Sequence, residues 1–526
     1  MTNAVAAPTS RKGLAAFVYD DIGKITDWRE RLHWPIAHVD IANIGHLVPA
    51  AVISAAASFS DLFERQVATV AGPLLGGGFM SLLEAAWVSQ EAKRLGLEIV
   101  GGPPEMALLA HGREDFAVQE YRGFRVMPVP HSRLRRMVRT AMWTPVHHLP
   151  RALLTPEAVA VTYNSLLVQA TKGHAIGFHH APNMVAQSRS GRLRKMNIDV
   201  VSIADKVLDR LLPLAPALDT IHRDRLRRVF NARIRTALTR VVEDIAALRE
   251  YKLPNEIWSG TNGFYATRVL ASEVRRRGGR VEAFDHGGVT GLTQLVGSTA
   301  LIELCTSSRF HLATPEWAEL LARTDAISIA APLNSVTLAG GSGEPTFRQA
   351  FRDGTERKGT RPRIIVIGHP HKGLRQFPIA AISDATYWDF QIELVGQLKR
   401  MDVDFLCKPH PEGEFRGRRN PLEELAPTSY SRFEEHLDDA DVFLFDAPTS
   451  TTFLESLCTR RRVVLIDRLY GFNPVVEPHV RERCRIVKGH FDVRNRFRVD
   501  FSELEEAIRG TGSEPDPSYF RRLTSS

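Results

Sequence analysis

The chain has 526 residues, 44% of them hydrophobic and 24% charged; this excludes a disordered or fibrous chain and describes an ordinary globular one. One hydrophobic core rarely grows beyond about 250–300 residues, so two domains are expected. Lys and Arg total 68 against 60 Asp and Glu, a formal +8, and the scattered Cys305, Cys407, Cys458 and Cys484 form no C-x-x-C pair, which argues against a disulfide framework or cysteine zinc site and for small buried hydrophobes.

Met1–Lys12 lacks the apolar stretch of a signal peptide. The run Ile44–Phe59 is shorter than a membrane span and closely preceded by Asp40 and Asn43, so it reads as a buried helix, and a cytoplasmic location is expected. Ser81–Leu95 reads as a helix feeding a strand at Leu97–Val100. Three basic clusters follow: Arg133, Arg135, Arg136 and Arg139; Arg189, Arg192, Arg194 and Lys195; and Arg223, Arg225, Arg227, Arg228, Arg233 and Arg235. Such clusters attract nucleic acid, acidic lipid or phosphorylated substrates, or simply form solvated helix faces. Aromatic residues do not interleave with them as a base-stacking surface requires, so nucleic acid is not an expected partner. Ile221–Leu248 has helical apolar spacing with a basic outer face, expected to pack on the protein, with peripheral contact to acidic membrane lipid as the alternative. The whole of 186–250 reads as a helical insertion.

Glu256–Trp258 is a strand leading into Ser259-Gly260-Thr261-Asn262-Gly263. Phe264–Arg277 is a helix, Arg280–Phe284 a strand ending in Asp285-His286-Gly287-Gly288, and Phe310–Ala313 a further strand before a helix from Glu316. The glycine-rich, then charged stretch 338–361 is expected to link two domains, 1–337 and 362–526. Beyond it the alternation is clear. Arg363–Ile367 runs into Gly368-His369-Pro370-His371-Lys372-Gly373; a helix spans Thr386–Met401; Val403–Cys407 ends in Lys408-Pro409-His410-Pro411. A short helix over Phe433–Asp439 precedes Val442–Phe445, which ends in Asp446-Ala447-Pro448-Thr449-Ser450-Thr451-Thr452; a helix over Thr451–Cys458 and a strand at Val463–Ile466 follow. Strands alternating with helices mean parallel βαβ units, hence an α/β chain with two Rossmann-like domains.

Ligands of open parallel sheets sit outside the carboxyl ends of strands, where each of these polar motifs falls. The prolines stiffen the loop that holds Lys408 and His410, a pair suited to a phosphate or carboxylate, and a histidine can protonate a departing phosphate near neutral pH. Thr449, Ser450, Thr451 and Thr452 open a helix, where hydroxyls cap free N–H groups and anions bind; Glu455 is placed to hold a ribose hydroxyl or to favour the helix dipole. His369 and Lys372 are candidates to approach donor phosphates. In the first half, Asp285 or His286 is the candidate base, with Gly287 and Gly288 permitting close approach. Asn262, and His180 of the histidine-bearing stretch 173–183, are candidate contacts to an acceptor. No carboxylate or cysteine joins those histidines at ligand spacing, and no D-x-D motif appears at these strand ends that would hold a metal, so no metal or cofactor is expected.

The run K-P-H-P, then D-A-P-T-S-T-T-F-L-E-S-L, then V-V-L-I-D resembles the HP-motif GT-B glycosyltransferases of bacterial surface polysaccharides, which include capsule Kdo transferases, sialyltransferases and CDP-glycerol polymerases. D-H-G-G resembles the Q-H-G-G of a related surface-carbohydrate group, with Asp285 standing where that group has glutamine. The resemblance covers the C-terminal third and a stretch around Asp285. It implies two Rossmann-like domains facing across a cleft, metal-independent sugar transfer from a nucleotide donor (CMP favoured) to a surface glycan or lipid-linked acceptor, and donor contacts at His410 and Thr449–Thr452. A GT-B-fold nucleotide-sugar epimerase and a non-enzymatic polyanion-binding protein are the alternatives.

Overall fold

The computed structural model describes residues 12–102, 133–189, 198–215, 218–351, 361–371, 382–410, 420–469, 471–510 and 516–525. Strands β1 (Leu14–Ala16) and β2 (Glu98–Val100) form a small parallel pair. Strands β3 (Ala158–Ala160), β4 (Ile176–Phe178), β5 (Glu256–Ser259), β6 (Arg280–Phe284), β7 (Arg309–Leu312) and β8 (Thr337–Gly340) make a wholly parallel sheet in the order β4-β3-β5-β6-β7-β8. A second sheet takes β9 (Arg363–Ile367), β10 (Asp404–Lys408), β11 (Val442–Phe445), β12 (Arg462–Asp467), β13 (Arg485–Phe491) and β14 (Phe497–Val499) in the order β10-β9-β11-β12-β13-β14, parallel except for the last pair. The protein is therefore α/β with parallel sheets, an arrangement compatible with Rossmann-like domains. The central strands β9, β11 and β12 read RIIVI, VFLF and RVVLID and are mostly buried, as strands covered on both faces must be. Strand order reverses between β3 and β5 in one sheet and between β9 and β11 in the other, and crevices open at such reversals.

The long helices fill the space beside the first sheet. His38–Ala57 and Leu62–Leu95 are long and apolar enough to cross a membrane by length and composition, and 50% and 83% of their apolar windows are buried in the fold. Thr220–Glu250 packs along Leu62–Leu95. One arginine of the basic cluster does not reach the outer face: Arg233 is buried, and burial pulls its pKa down to about 10. Three residues after Phe230 and four before Ala237, it falls on the apolar stripe.

Pro73 lies inside Leu62–Leu95 and has no N–H to give the carbonyl of Thr69. Arg268, 1% exposed, supplies it. Its Nη2 donates to the Thr69 carbonyl at 2.6 Å and its Nε to that of Val70 at 3.3 Å. Its Nη1 donates to the Leu301 and Ile302 carbonyls at 2.8 and 2.9 Å.

Two expected boundaries are corrected. Leu338–Gly340 belong to β8 rather than to a linker, and the stretch beyond them buries Glu344, Phe347 and Ala350, with the Glu344 amide donating to Thr524 at 2.9 Å. The C-terminal helix Ser518–Thr524 covers what reads in sequence as a solvated connection. At the other end, Leu14, Ala16, Ile22, Trp28 and Leu32 share a core with Ile364, Trp388 and Phe390 of the second half. Arg29, Arg496 and Arg498 converge on the buried Asp389. Burial pushes that carboxyl up, but the Arg496 and Arg29 bonds outweigh it and hold the pKa below its ordinary value. The start of the chain thus straps onto the second sheet.

Candidate functional site

At the switch point of the second sheet, Asp446 ties the loops after β9 and β11 together. It accepts from the His369 amide at 2.8 Å, the Tyr387 hydroxyl at 2.6 Å and Arg468 Nη2 at 3.1 Å. Beyond it, Ser450 caps the helix Thr451–Leu457 by accepting from the Phe453 amide at 3.2 Å, and its hydroxyl lies 2.9 Å from that of Thr452. Thr449 is half-buried and Thr451 exposed. The far end of this helix is locked by Arg483, 2% exposed, which donates to the carbonyls of Leu457 and Ser456 at 2.9 and 3.1 Å; such last-turn carbonyls have no partner within the helix. Glu455 is buried on the same helix. Burial, with the charges of Glu434 and Glu344, raises its pKa to about 8, so it holds a proton at neutral pH.

The other donor-side candidates stand apart. Lys408 is buried: its ammonium gives one hydrogen bond to the Ser431 carbonyl, and burial lowers its pKa. As the last residue of β10 it is turned to the neighbouring loop, a contact no strand-end motif foretells. His410 is half-buried just beyond β10, whose place two strands from β11 sets its backbone about 10 Å away from that strand's end. Lys372 and Pro411 lie outside the described residues. A surface hollow of about 680 Å³ opens beside Arg485 and Arg509, at the amino end of β13 and so away from these loops.

At the carboxyl end of β6, Asp285 is 5% exposed. Thr290 donates its hydroxyl to Asp285 Oδ1. Burial, reinforced by the Glu303 and Glu344 carboxyls and opposed by the Thr290 and Gly288 hydrogen bonds, pushes its pKa up to about 7. His286 beside it is exposed. Asn262 is corrected from acceptor contact to internal brace. It is 0% exposed, and its Nδ2 donates to Ser307 Oγ at 2.8 Å and the Glu303 carbonyl at 3.2 Å. Glu303, unmarked in the sequence reading, accepts from the Asn262 amide at 2.9 Å and the Thr261 hydroxyl at 2.8 Å. Asn164 was missed as well. Its Nδ2 donates to the Gly260 and Asp285 carbonyls, both at 2.8 Å, joining the ends of β3, β5 and β6; an asparagine capping the helix after a strand was its only sequence signal. His180 follows β4, three strands from β6, about 14 Å off by strand spacing, so it does not join the group around Asp285.

The two edges meet. Gly287 has φ +94°, and a Cβ there would lie 2.5 Å from Thr451 Oγ1. Gly288 has φ +66°, and its Cβ would lie 2.8 Å from the Phe347 ring and 3.1 Å from Leu454 Cδ2. The Asp285–Gly288 turn therefore rests on the first turn of the hydroxyl-rich helix. Nearby, the Gln294 amide donates to Gly471 at 3.0 Å and the Asn473 amide to Leu292 at 2.9 Å, stitching the loop after β6 to the loop after β12. Gly287→Ala is expected to lower stability by about 1–2 kcal/mol from the left-handed backbone alone, and to push Thr451 aside. Thermal denaturation checks this, and an unchanged midpoint would show that the turn relaxes freely.

The structure thus brings Asp285, His286, Gly287 and Gly288 together with Ser450 and Thr451, and turns Lys408 and Asn262 inward. Comparison with family models, with curated proteins and with solved structures returns no match.

Proposed function

We propose that the chain is a glycosyltransferase of GT-B architecture that moves a sugar from a nucleotide donor to a glycan or lipid-linked acceptor. One observation carries the reading: the carboxyl edges of two parallel sheets oppose each other at Gly287 and Thr451, with a buried carboxyl titrating near pH 7 on one side and a hydroxyl-rich helix start on the other. Switch-point crevices are where nucleotides bind in open α/β sheets.

In this reading Asp285 takes the proton of the acceptor hydroxyl as the sugar departs. A base titrating near the working pH combines the right protonation state with useful driving force. His286, exposed next to it, guides the acceptor. Thr449, Ser450 and Thr451, with the helix amides behind them, receive the donor's phosphate; His369 sits on the adjoining loop that Asp446 holds, and His410, its backbone about 10 Å off along the same edge, is the group to reach toward the leaving phosphate and protonate it. Glu455, neutral near pH 7, donates a hydrogen bond instead of repelling the donor's charge. Asp446 holds the two donor loops in register through His369 and Arg468.

The test is a thermal-shift series with CMP, CDP, UDP and GDP at millimolar concentration. A ligand at about 100 times its Kd stabilises by about 2.7 kcal/mol, so one nucleotide, CMP by the motif resemblance, is expected to raise the melting temperature clearly. If none of the four does, the reading fails.

A further inference from the structure

Helix Arg133–Trp143 presents its apolar side to solvent. Facing inward are Thr140, whose hydroxyl accepts from the Phe178 amide at 3.3 Å, and Trp143, whose ring centroid lies 4.4 Å from Tyr163 and 4.8 Å from Phe178. Facing outward are Met137, Val138 and Met142, exposed by 47%, 50% and 71%. At about 100° per residue these three share one stripe of about 140°. The surface continues over Val146 and Leu154, 85% and 81% exposed. A surface helix ordinarily turns such a stripe to the core, and a contiguous exposed apolar patch marks an interaction site.

The charge of the segment identifies what it meets. Residues 133–156 contain 5 arginines and no aspartate or glutamate, with Arg151 paired to Glu157 at 3.1 Å. Arg136 is exposed beside Met137, and Arg139 lies over the Tyr163 ring at 5.0 Å. Protruding Met, Val and Leu among arginines match an anionic lipid surface, which takes apolar side chains at its acyl boundary and attracts cations at its headgroups. Nucleic acid would call for outward aromatic rings on which bases stack.

We propose that helix Arg133–Trp143 and the turn running to Leu154 form a docking face for membranes that carry anionic lipid. The helix Thr220–Glu250 packs its apolar side on the fold and leaves Arg223, Arg228 and Arg235 exposed, but it presents no comparable apolar stripe outward. The face adjoins the crevice: Tyr163 follows β3, and the adjacent Asn164 bonds the Asp285 carbonyl at 2.8 Å. Docking therefore brings the crevice near the lipid surface, where a lipid-linked acceptor would lie; that corollary rests on the function proposed above, and the docking itself does not.

The full chain is to be sedimented with vesicles of phosphatidylcholine alone and of equimolar phosphatidylcholine and phosphatidylglycerol. It is expected to pellet with the anionic vesicles only, less so as salt is raised. The double change Met137→Glu, Met142→Glu is expected to weaken vesicle binding roughly tenfold or more, and Arg136→Glu roughly fivefold, with melting temperature and nucleotide-induced shift unchanged in both. The proposal is overturned if the wild-type chain stays in the supernatant or if the variants bind as well as it does. It is equally overturned if, without lipid, the chain forms a dimer that the double change dissolves, or if DNA binding is lost in the variants while vesicle binding persists. Because the nucleotide shift is read on the same samples, failure of docking and failure of the catalytic reading are told apart.

Discussion

Under the proposed function, Asp285→Asn is expected to lower sugar transfer by about 10²- to 10⁴-fold, the usual worth of a general base. Asparagine keeps the side chain's shape and the hydrogen bond from Thr290, but cannot take a proton. In the wild type, with a carboxyl titrating near 7, the rate should climb as pH rises through about 7. In the variant that limb should flatten, and a wild-type profile that shows no inflection there would remove Asp285 from the role.

The same substitution should act oppositely on stability. Asp285 has its pKa raised from 3.8 to about 7 on folding. Between those values the native chain keeps a proton that the unfolded chain releases. Stability is therefore full below about pH 4, falls as pH rises toward 7, and stays low beyond it. About three units correspond to roughly 4 kcal/mol as an upper bound. Asp285→Asn is thus expected to match the wild type at pH 4 and to melt at a higher temperature at pH 8. A residue that lowers stability at the pH where it works fits a site kept for chemistry. Equal melting of both proteins at pH 8 would show that the carboxyl is not held in an apolar setting.

Arg268→Met is expected to cost the most stability of any single change considered. Methionine fills the stem but leaves the carbonyls of Thr69, Val70, Leu301 and Ile302 without the guanidinium that now bonds all four. The Thr69 carbonyl, which Pro73 cannot serve, is left unpaired at about 1–3 kcal/mol, and the other three lose a charged partner, so a total loss of about 2 kcal/mol or more is expected. The helix Leu62–Leu95 would loosen around Pro73, where proline has already removed one bond. Arg268→Lys keeps the charge but not the fork and should recover only part of the loss. Thermal and urea denaturation of the two variants checks the order; equal losses would mean that charge alone matters at this position.

The second sheet was largely legible in sequence because its strands are covered on both faces. RIIVI, VFLF and VVLI read as unbroken apolar runs, and parallel strands force every polar loop that follows them to one edge. By the same logic Asp285–Gly288 and Asp446–Thr452 could be placed at strand ends. β3 and β4 escaped notice because AVA and IGF are too short to show a period. The strap at the start of the chain escaped because its partner, Asp389, lies 360 residues away.

Composition and local pattern alone settled the α/β class, most strands of the second sheet and the edge on which its polar loops lie. Only the tertiary structure decided which of those polar residues meet across the two sheets. Lys408 and Asn262 have the right chemistry at the right strand ends, yet each is committed to an inward hydrogen bond, while Gly287 reaches Thr451 across the two sheets. Periodicity reports which side of an element is buried, but a polar side chain's partner comes from wherever the chain returns, and no spacing along the sequence encodes that meeting.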